Sequence, residues 1–275
     1  MREDAGLKEY LDRTTFINKD GEVCEFTDLQ KHDLNLVLQK RYALLNWQQG
    51  SGKTAAVYHR AKYLLKFRKA RNVIILAPAI ATNMTWIPFL TVNKERFRTI
   101  QTAGDLDNVP EGTFLVVSTS MLRKLKRGLM RFVKRTSGKL CLVFDESDEI
   151  TNPTSQRTRN VLCIFRRLRY KILDTGTTTR NNIAELYSQF ELLYNNSVNM
   201  ICWSPQVYHE NRDHEIEEEN NPDYGTPFPA FRGHVLFPCL PLSGESHCIR
   251  HRETEPGRVQ QGRTLRTYRQ DGHHP

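Results

Sequence analysis

The stretch Tyr42-Ala43-Leu44-Leu45-Asn46-Trp47-Gln48-Gln49-Gly50-Ser51-Gly52-Lys53-Thr54 decides how this chain is read. An apolar run ends in a glycine-containing loop, and a helix-compatible segment starts at the Lys-Thr pair. That arrangement suits the phosphates of a nucleoside triphosphate. Loop N–H groups point at the anion, and the helix N-terminus adds a favourable dipole. Gly50, Ser51, Gly52, Lys53 and Thr54 are therefore candidate ATP contacts, with Lys53 reaching the β and γ phosphates and Thr54 ligating Mg²⁺. Trp47 stands where the full Gly-x-x-x-x-Gly-Lys-Ser/Thr pattern has its first glycine, and the loop alone names no reaction.

Outward from this loop, short unbroken apolar runs alternate with longer amphipathic stretches as far as about Phe190. The runs predict strands at Tyr42–Leu45, Val73–Ala77, Phe97–Thr102, Phe114–Ser118, Leu140–Phe144 and Tyr170–Leu173. Runs without a polar alternation indicate strands buried on both faces, as in a parallel sheet. Helices are predicted at about 53–69, 82–92, 120–135, 156–168 and 181–193, after an N-terminal segment of mixed helix and loop. Alternating β and α elements imply an α/β, doubly wound and mainly parallel sheet with helices on both faces, its chemistry at the C-terminal strand ends.

Two such strand ends carry polar groups. Leu142-Val143-Phe144 runs into Asp145-Glu146-Ser147-Asp148. There Asp145 would hold Mg²⁺ through water, and Glu146 would orient and deprotonate the water that attacks the γ-phosphate. Asp145, Glu146 and Lys53 are the candidate catalytic residues, and Asp145 and Thr54 the candidate metal ligands. Strand Tyr170–Leu173 leads into Asp174-Thr175-Gly176-Thr177, whose hydroxyls are placed to sense the γ-phosphate or, more blandly, to form a turn and a helix cap.

In order and spacing, these segments resemble the first motor lobe of superfamily-two helicases, most closely the Swi/Snf-type translocases, over roughly residues 27–195. Gly50–Thr54 matches the family's nucleotide loop, and Ala77-Pro78 with Trp86 matches its second block. Asp145–Asp148 stands where the family has its Asp-Glu box, with Asn152 following. Thr175-Gly176-Thr177 resembles its Thr-Gly-Thr-Pro block, with Thr178 replacing the proline, and Asn182, Glu185 and Leu186 continue it. The resemblance implies a RecA-like lobe using ATP and Mg²⁺, and a coupling role for Thr175, Gly176 and Thr177. It also implies that Val116–Leu122, with Ser118 and Thr119, touches a nucleic-acid backbone, and that Gln30 reads adenine. Family members close their active site with arginines from a second RecA-like lobe. The nearest candidate here, Gln260–Arg266, lies too close to Thr177 for another sheet to intervene.

The bulk composition agrees with a polyanion partner. The 275 residues carry 40 Lys and Arg against 31 Asp and Glu, a formal charge of +9. Arg123, Lys124, Lys126, Arg127, Arg131, Lys134 and Arg135 crowd one predicted helix. Like charges at that density either face solvent or await an anion, DNA above all. The six cysteines show no Cys-x-x-Cys spacing, and Cys141 and Cys163 read as small buried hydrophobes. No run is long enough to span a membrane, and a cytoplasmic, reduced protein of bacterial or phage origin is expected.

The expected segments are 1–26 as an N-terminal piece, 27–203 as the ATP-binding lobe, 204–236 as an acidic, proline-containing extension and 237–275 as a tail without periodicity. Shifted codons for Cys248–Pro275 can spell an ordinary-looking stretch, so a frame-shifted or shortened translocase, its second lobe lost, is expected. A non-catalytic ATP- and DNA-binding remnant or adaptor is the alternative. A small-molecule kinase is a third reading, and it leaves Asp145-Glu146 unexplained.

Overall fold

The computed structural model describes residues 2–18, 20–136, 138–177 and 183–194, together with four short strands further on. The chain divides into two compact units, Met1–Thr178 with Ser188–Asn195, and Thr179–Tyr187 with Asn196–Pro275.

The first unit begins with α1 (Ala5–Asp12), an antiparallel hairpin of β1 (Thr15–Ile17) and β2 (Val23–Glu25), and α2 (Asp28–Leu38). Asn35 fastens α1 to α2 with both ends of its amide. Its Oδ1 accepts from the Asp4 N–H at 2.9 Å, and its Nδ2 donates to the Asp4 carbonyl at 2.8 Å. The hairpin differs from the expected mixed helix and loop, because three-residue strands are too short to imprint an alternation on the sequence.

Six strands follow with their helices: β3 (Tyr42–Leu45), α3 (Lys53–Lys66), β4 (Asn72–Ala77), α4 (Ala79–Ala81), α5 (Ile87–Val92), β5 (Phe97–Thr99), β6 (Phe114–Ser118), α6 (Leu122–Arg135), β7 (Leu140–Phe144), α7 (Gln156–Phe165) and β8 (Tyr170–Asp174), with α8 (Tyr187–Tyr194) beyond. Strands β3 to β8 form one sheet in the order β3-β8-β7-β4-β6-β5, and every pairing in it is parallel. The fold is α/β, as expected, with one wholly parallel six-stranded sheet. Strand β4 displays its logic. Val73, Ile75 and Ala77 join a core that includes α3 and α5, whereas Ile74 and Leu76 join a second core with α6, α7 and α8. A strand covered on both faces has no polar side, which is the origin of the unbroken apolar runs.

Several element ends differ from expectation for local reasons. β5 stops at Thr99 because Thr102 opens a capping box with Asp105 around the turn Ala103–Leu106. α3 stops at Lys66, and the chain then reverses through Arg68 at φ 53°. α7 stops at Phe165, and the buried Lys171 of β8 donates from Nζ to the Arg166 carbonyl at 2.6 Å, satisfying one terminal acceptor. Burial depresses that amine to about 7. Cys141 is buried as expected, but Cys163 is exposed, since it lies on the solvent side of α7 while Val161 and Ile164 face inward.

Among the described residues no helix is long and apolar enough to cross a membrane. In the second unit, β9 (Gln206–Glu210) pairs antiparallel with β10 (Ile216–Asn220), and β11 (Leu240–Leu242) with β12 (Glu245–His247). The second hairpin falls where no structure is expected from the sequence, because backbone pairing alone needs no apolar periodicity. Residues 248–275, and the frame shift read there, lie outside the described residues.

Candidate active site

Parallel pairing brings the C-terminal ends of β3, β7 and β8 to one edge of the sheet. The loop after β3 turns through Gly50 at φ 80° and Gly52 at φ 82°, a left-handed conformation that side chains with a Cβ resist. Gly52 is the residue before α3, and no side chain caps the helix there. The first backbone bond of α3 runs from the Ala56 N–H to the Gly52 carbonyl, so the N–H groups of the opening turn remain available. Ser51 closes the loop on Gln48, donating its N–H at 3.2 Å and its hydroxyl at 2.6 Å to the same carbonyl. A Cβ added at Gly50 would meet nothing within 4 Å among the described residues, so the loop lies open to them on that side.

Lys53 and Thr54 are the first two residues of the helix and are half-buried. The Lys53 ammonium donates to the carbonyls of Trp47 at 3.0 Å and Gln48 at 3.2 Å. An anion in the loop would replace these neutral acceptors with a charged one. Trp47, which replaces the missing glycine, donates from its indole to Asp33 at 2.8 Å and so anchors the loop to α2. Gln30 reaches the loop as well, donating from Nε2 to the Ser51 carbonyl at 2.8 Å while its Oε1 accepts from the Thr27 N–H in the capping box of α2. Its amide therefore supports the loop backbone, and base reading would require exchanging these bonds.

The acid pair lies beyond β7. The register pairs Phe144 with Leu173, so the next residues, Asp145 and Asp174, are neighbours. Asp145 is buried and accepts from the Trp86 indole at 2.7 Å. Asp174 is fully buried beside Asp145, and among the described residues no N–H donor reaches either of its carboxyl oxygens. Burial first, and Asp145 second, push its pKa well above the usual carboxylate range.

Glu146 takes the left-handed conformation at φ 53°, ψ 54°, and is half-buried. Burial, then Asp145 and Asp148, raise its pKa, while Lys53 and the Gly176 N–H pull it back. A carboxylate raised in this way is a better proton acceptor than a free one. Thr177 donates to Asp148 at 3.4 Å, and Thr175 accepts from the Thr177 N–H at 3.1 Å while donating to its carbonyl at 2.8 Å. A Cβ on Gly176 would stand 3.5 Å from the Lys53 ammonium. Because β8 lies between β3 and β7, the Thr175–Thr177 loop is inserted between the phosphate-type loop and the acids. Thr178 and Asn182 lie outside the described residues.

These residues fit a triphosphate with a divalent cation. The uncapped helix start and glycine loop offer N–H donors, Lys53 offers a cation, Thr54 a hydroxyl, and Asp145 and Glu146 carboxyl oxygens. Asp174, the bond from Trp86 and the Trp47–Asp33 anchor escaped the sequence reading of the site. The alignment of Asp174 with Asp145 follows from strand pairing, and no local pattern carries it.

Along the same edge, β6 ends at Ser118, whose hydroxyl bonds that of Ser120 at 2.8 Å, and the adjacent Thr119 is buried. Helix α6 starts here. Leu122, Leu125, Leu129 and Phe132 face the core, while Arg123, Lys124, Arg127 and Arg131 are exposed and Lys126 is half-buried. Among the described residues, none of these five pairs with a carboxylate; Arg135 alone of the helix does, with Asp107 at 3.5 Å.

Neither a protein-family model nor a curated protein matches the chain. Among solved structures, the fold is similar to the SWI2/SNF2 ATPase core of Sulfolobus solfataricus in complex with double-stranded DNA (17% identity, TM-score 0.49, 64% of this chain and 36% of that one). It is similar to a second structure of the SWI2/SNF2 ATPase core domain from the same organism (17% identity, TM-score 0.48, 66% of this chain and 36% of that one). It is also similar to the UvsW helicase of bacteriophage T4 (14% identity, TM-score 0.49, 70% of this chain and 67% of that one). The chain thus spans about a third of the Sulfolobus proteins' length, and the likeness is one of fold.

Proposed function

We propose that this chain is the ATP-binding motor lobe of a DNA translocase, hydrolysing ATP with Mg²⁺ when a second RecA-like lobe completes the site. One observation carries the reading. An uncapped helix start with a left-handed glycine loop and Lys53 shares a sheet edge with Asp145 and the activated Glu146. In this reading the loop N–H groups, Lys53 and Thr54 hold the phosphates and the cation together with Asp145. The cation supplies charge neutralisation at the phosphates. Glu146 takes a proton from water, and Thr175, Gly176 and Thr177 couple the phosphate site to movement. The second lobe would bring the arginines that stabilise charge on the transferred group.

DNA as the track is supported by the unpaired basic face of α6, which starts at the same edge beside Ser118 and Thr119. The test is ATP hydrolysis by the full chain with and without DNA. The expected result is turnover or ATP binding that DNA increases, with Lys53→Ala weakening ATP binding roughly 10- to 100-fold, the range for a lost bond to a charged group. Phosphate transfer to an added small-molecule acceptor would establish the kinase reading instead. Binding of ATP and DNA with no turnover, even beside a supplied second lobe, would establish the non-catalytic one.

A further inference from the structure

Between α4 and α5 the helix widens into a π-turn over Thr82–Trp86, closed by the Ile87 N–H donating to the Thr82 carbonyl. The sequence explains it. Pro88 has no N–H to give to the carbonyl four residues back, at Met84, and its ring crowds that carbonyl, so a regular α-turn cannot form there. Such single π-turns recur at functional sites. The extra residue rotates the chain so that Trp86 points inward and is fully buried, while Met84, two residues earlier, is 78% exposed. The indole packs edge-on against Phe89 and delivers its N–H to Asp145 Oδ2 at 2.7 Å.

We propose that Trp86 is a positioning residue for the cation site: its indole holds one Asp145 oxygen and so sets the orientation in which the carboxylate can take a cation. The inference rests on the ATP and Mg²⁺ reading given above. A buried carboxylate beside a second acid has two orientations of similar energy unless a donor selects one. The Trp86 indole is the N–H donor to Asp145 among the described side chains, since the Lys53 ammonium is occupied by loop carbonyls. Groups that orient a metal-binding carboxylate in this way typically contribute 10- to 100-fold to metal affinity.

The test uses the full chain, comparing wild type with Trp86→Phe, which keeps an aromatic ring and removes the N–H. Binding of a non-hydrolysable ATP analogue is measured first in EDTA and then across a Mg²⁺ titration. The expected result is unchanged binding in EDTA and a Mg²⁺ half-saturation raised roughly tenfold. Equal Mg²⁺ titrations for the two proteins overturn the role of Trp86 and leave the ATP reading standing. No Mg²⁺-dependent binding by wild type overturns the ATP reading and the inference with it. A second measurement guards against a variant that fails to fold. In ¹⁵N-labelled wild type the Trp86 indole N–H resonance is expected to shift with Asp145→Asn, and an unmoved resonance overturns the proposal.

Discussion

At the residue scale, two side chains give distinct expectations. In the proposed reading Glu146 takes the proton and Asp145 holds the cation, so Glu146→Gln should retain ATP and Mg²⁺ binding while turnover falls roughly 10²- to 10⁴-fold, the usual contribution of a general base. Equilibrium binding beside single-turnover rates checks this, and equal loss of both would assign Glu146 to binding. His59 concerns stability. It is buried among Phe16, Phe26 and Tyr58, its Nε2 has no partner among the described residues, and burial with Lys62 nearby lowers its pKa to about 4. Between pH 6.5 and 4 the unfolded chain takes up a proton at this site and the folded chain does not, so stability is lost as pH falls through that window. The loss amounts to about 3 kcal/mol once the window is crossed. Denaturant melts at about pH 7 and pH 4.5, on either side of most of that window, should therefore show a shallower decline for His59→Phe than for wild type. Parallel declines would remove His59 as the cause.

At the element scale, α6 separates its two duties by face. Four apolar residues hold it to the core, and Arg127 and Arg131 stand exposed on the other side. Arg127→Glu with Arg131→Glu should accordingly leave the melting curve nearly unchanged and weaken DNA binding. The slope of log affinity against log salt should fall by roughly 2, about one for each phosphate that is no longer neutralised. An unchanged slope would take this helix off the DNA path. Elements of this kind are legible in the sequence, because the 3.6-residue spacing of Leu122, Leu125, Leu129 and Phe132 is a local property. The π-turn is not legible in the same way. Pro88 sits inside an otherwise helical stretch and signals a disturbance, but which side chain the disturbance turns inward depends on what waits across the sheet edge.

At the scale of the whole molecule, legibility follows sequence distance. The glycine loop, Lys53 and the Asp145-Glu146 pair are contiguous signals, and the runs that became β3, β4, β6 and β7 declared themselves because burial on both faces strips a strand of polar residues. What stayed hidden is what pairing assembles. Trp86 and Asp145 are 59 residues apart, and Asp174 meets Asp145 through the register of β7 and β8. The sheet order, which interposes β8 between the loop strand and the acid strand, is likewise a tertiary outcome. The left-handed backbone at Glu146 carries a consequence for heredity. Holding a non-glycine residue there, among like charges, costs of order 1 kcal/mol or more, which glycine would return. On the proposed role, a lineage selected for endurance alone would drift toward glycine or asparagine at this position, and one that harvests phosphate-bond energy has cause to keep the acid.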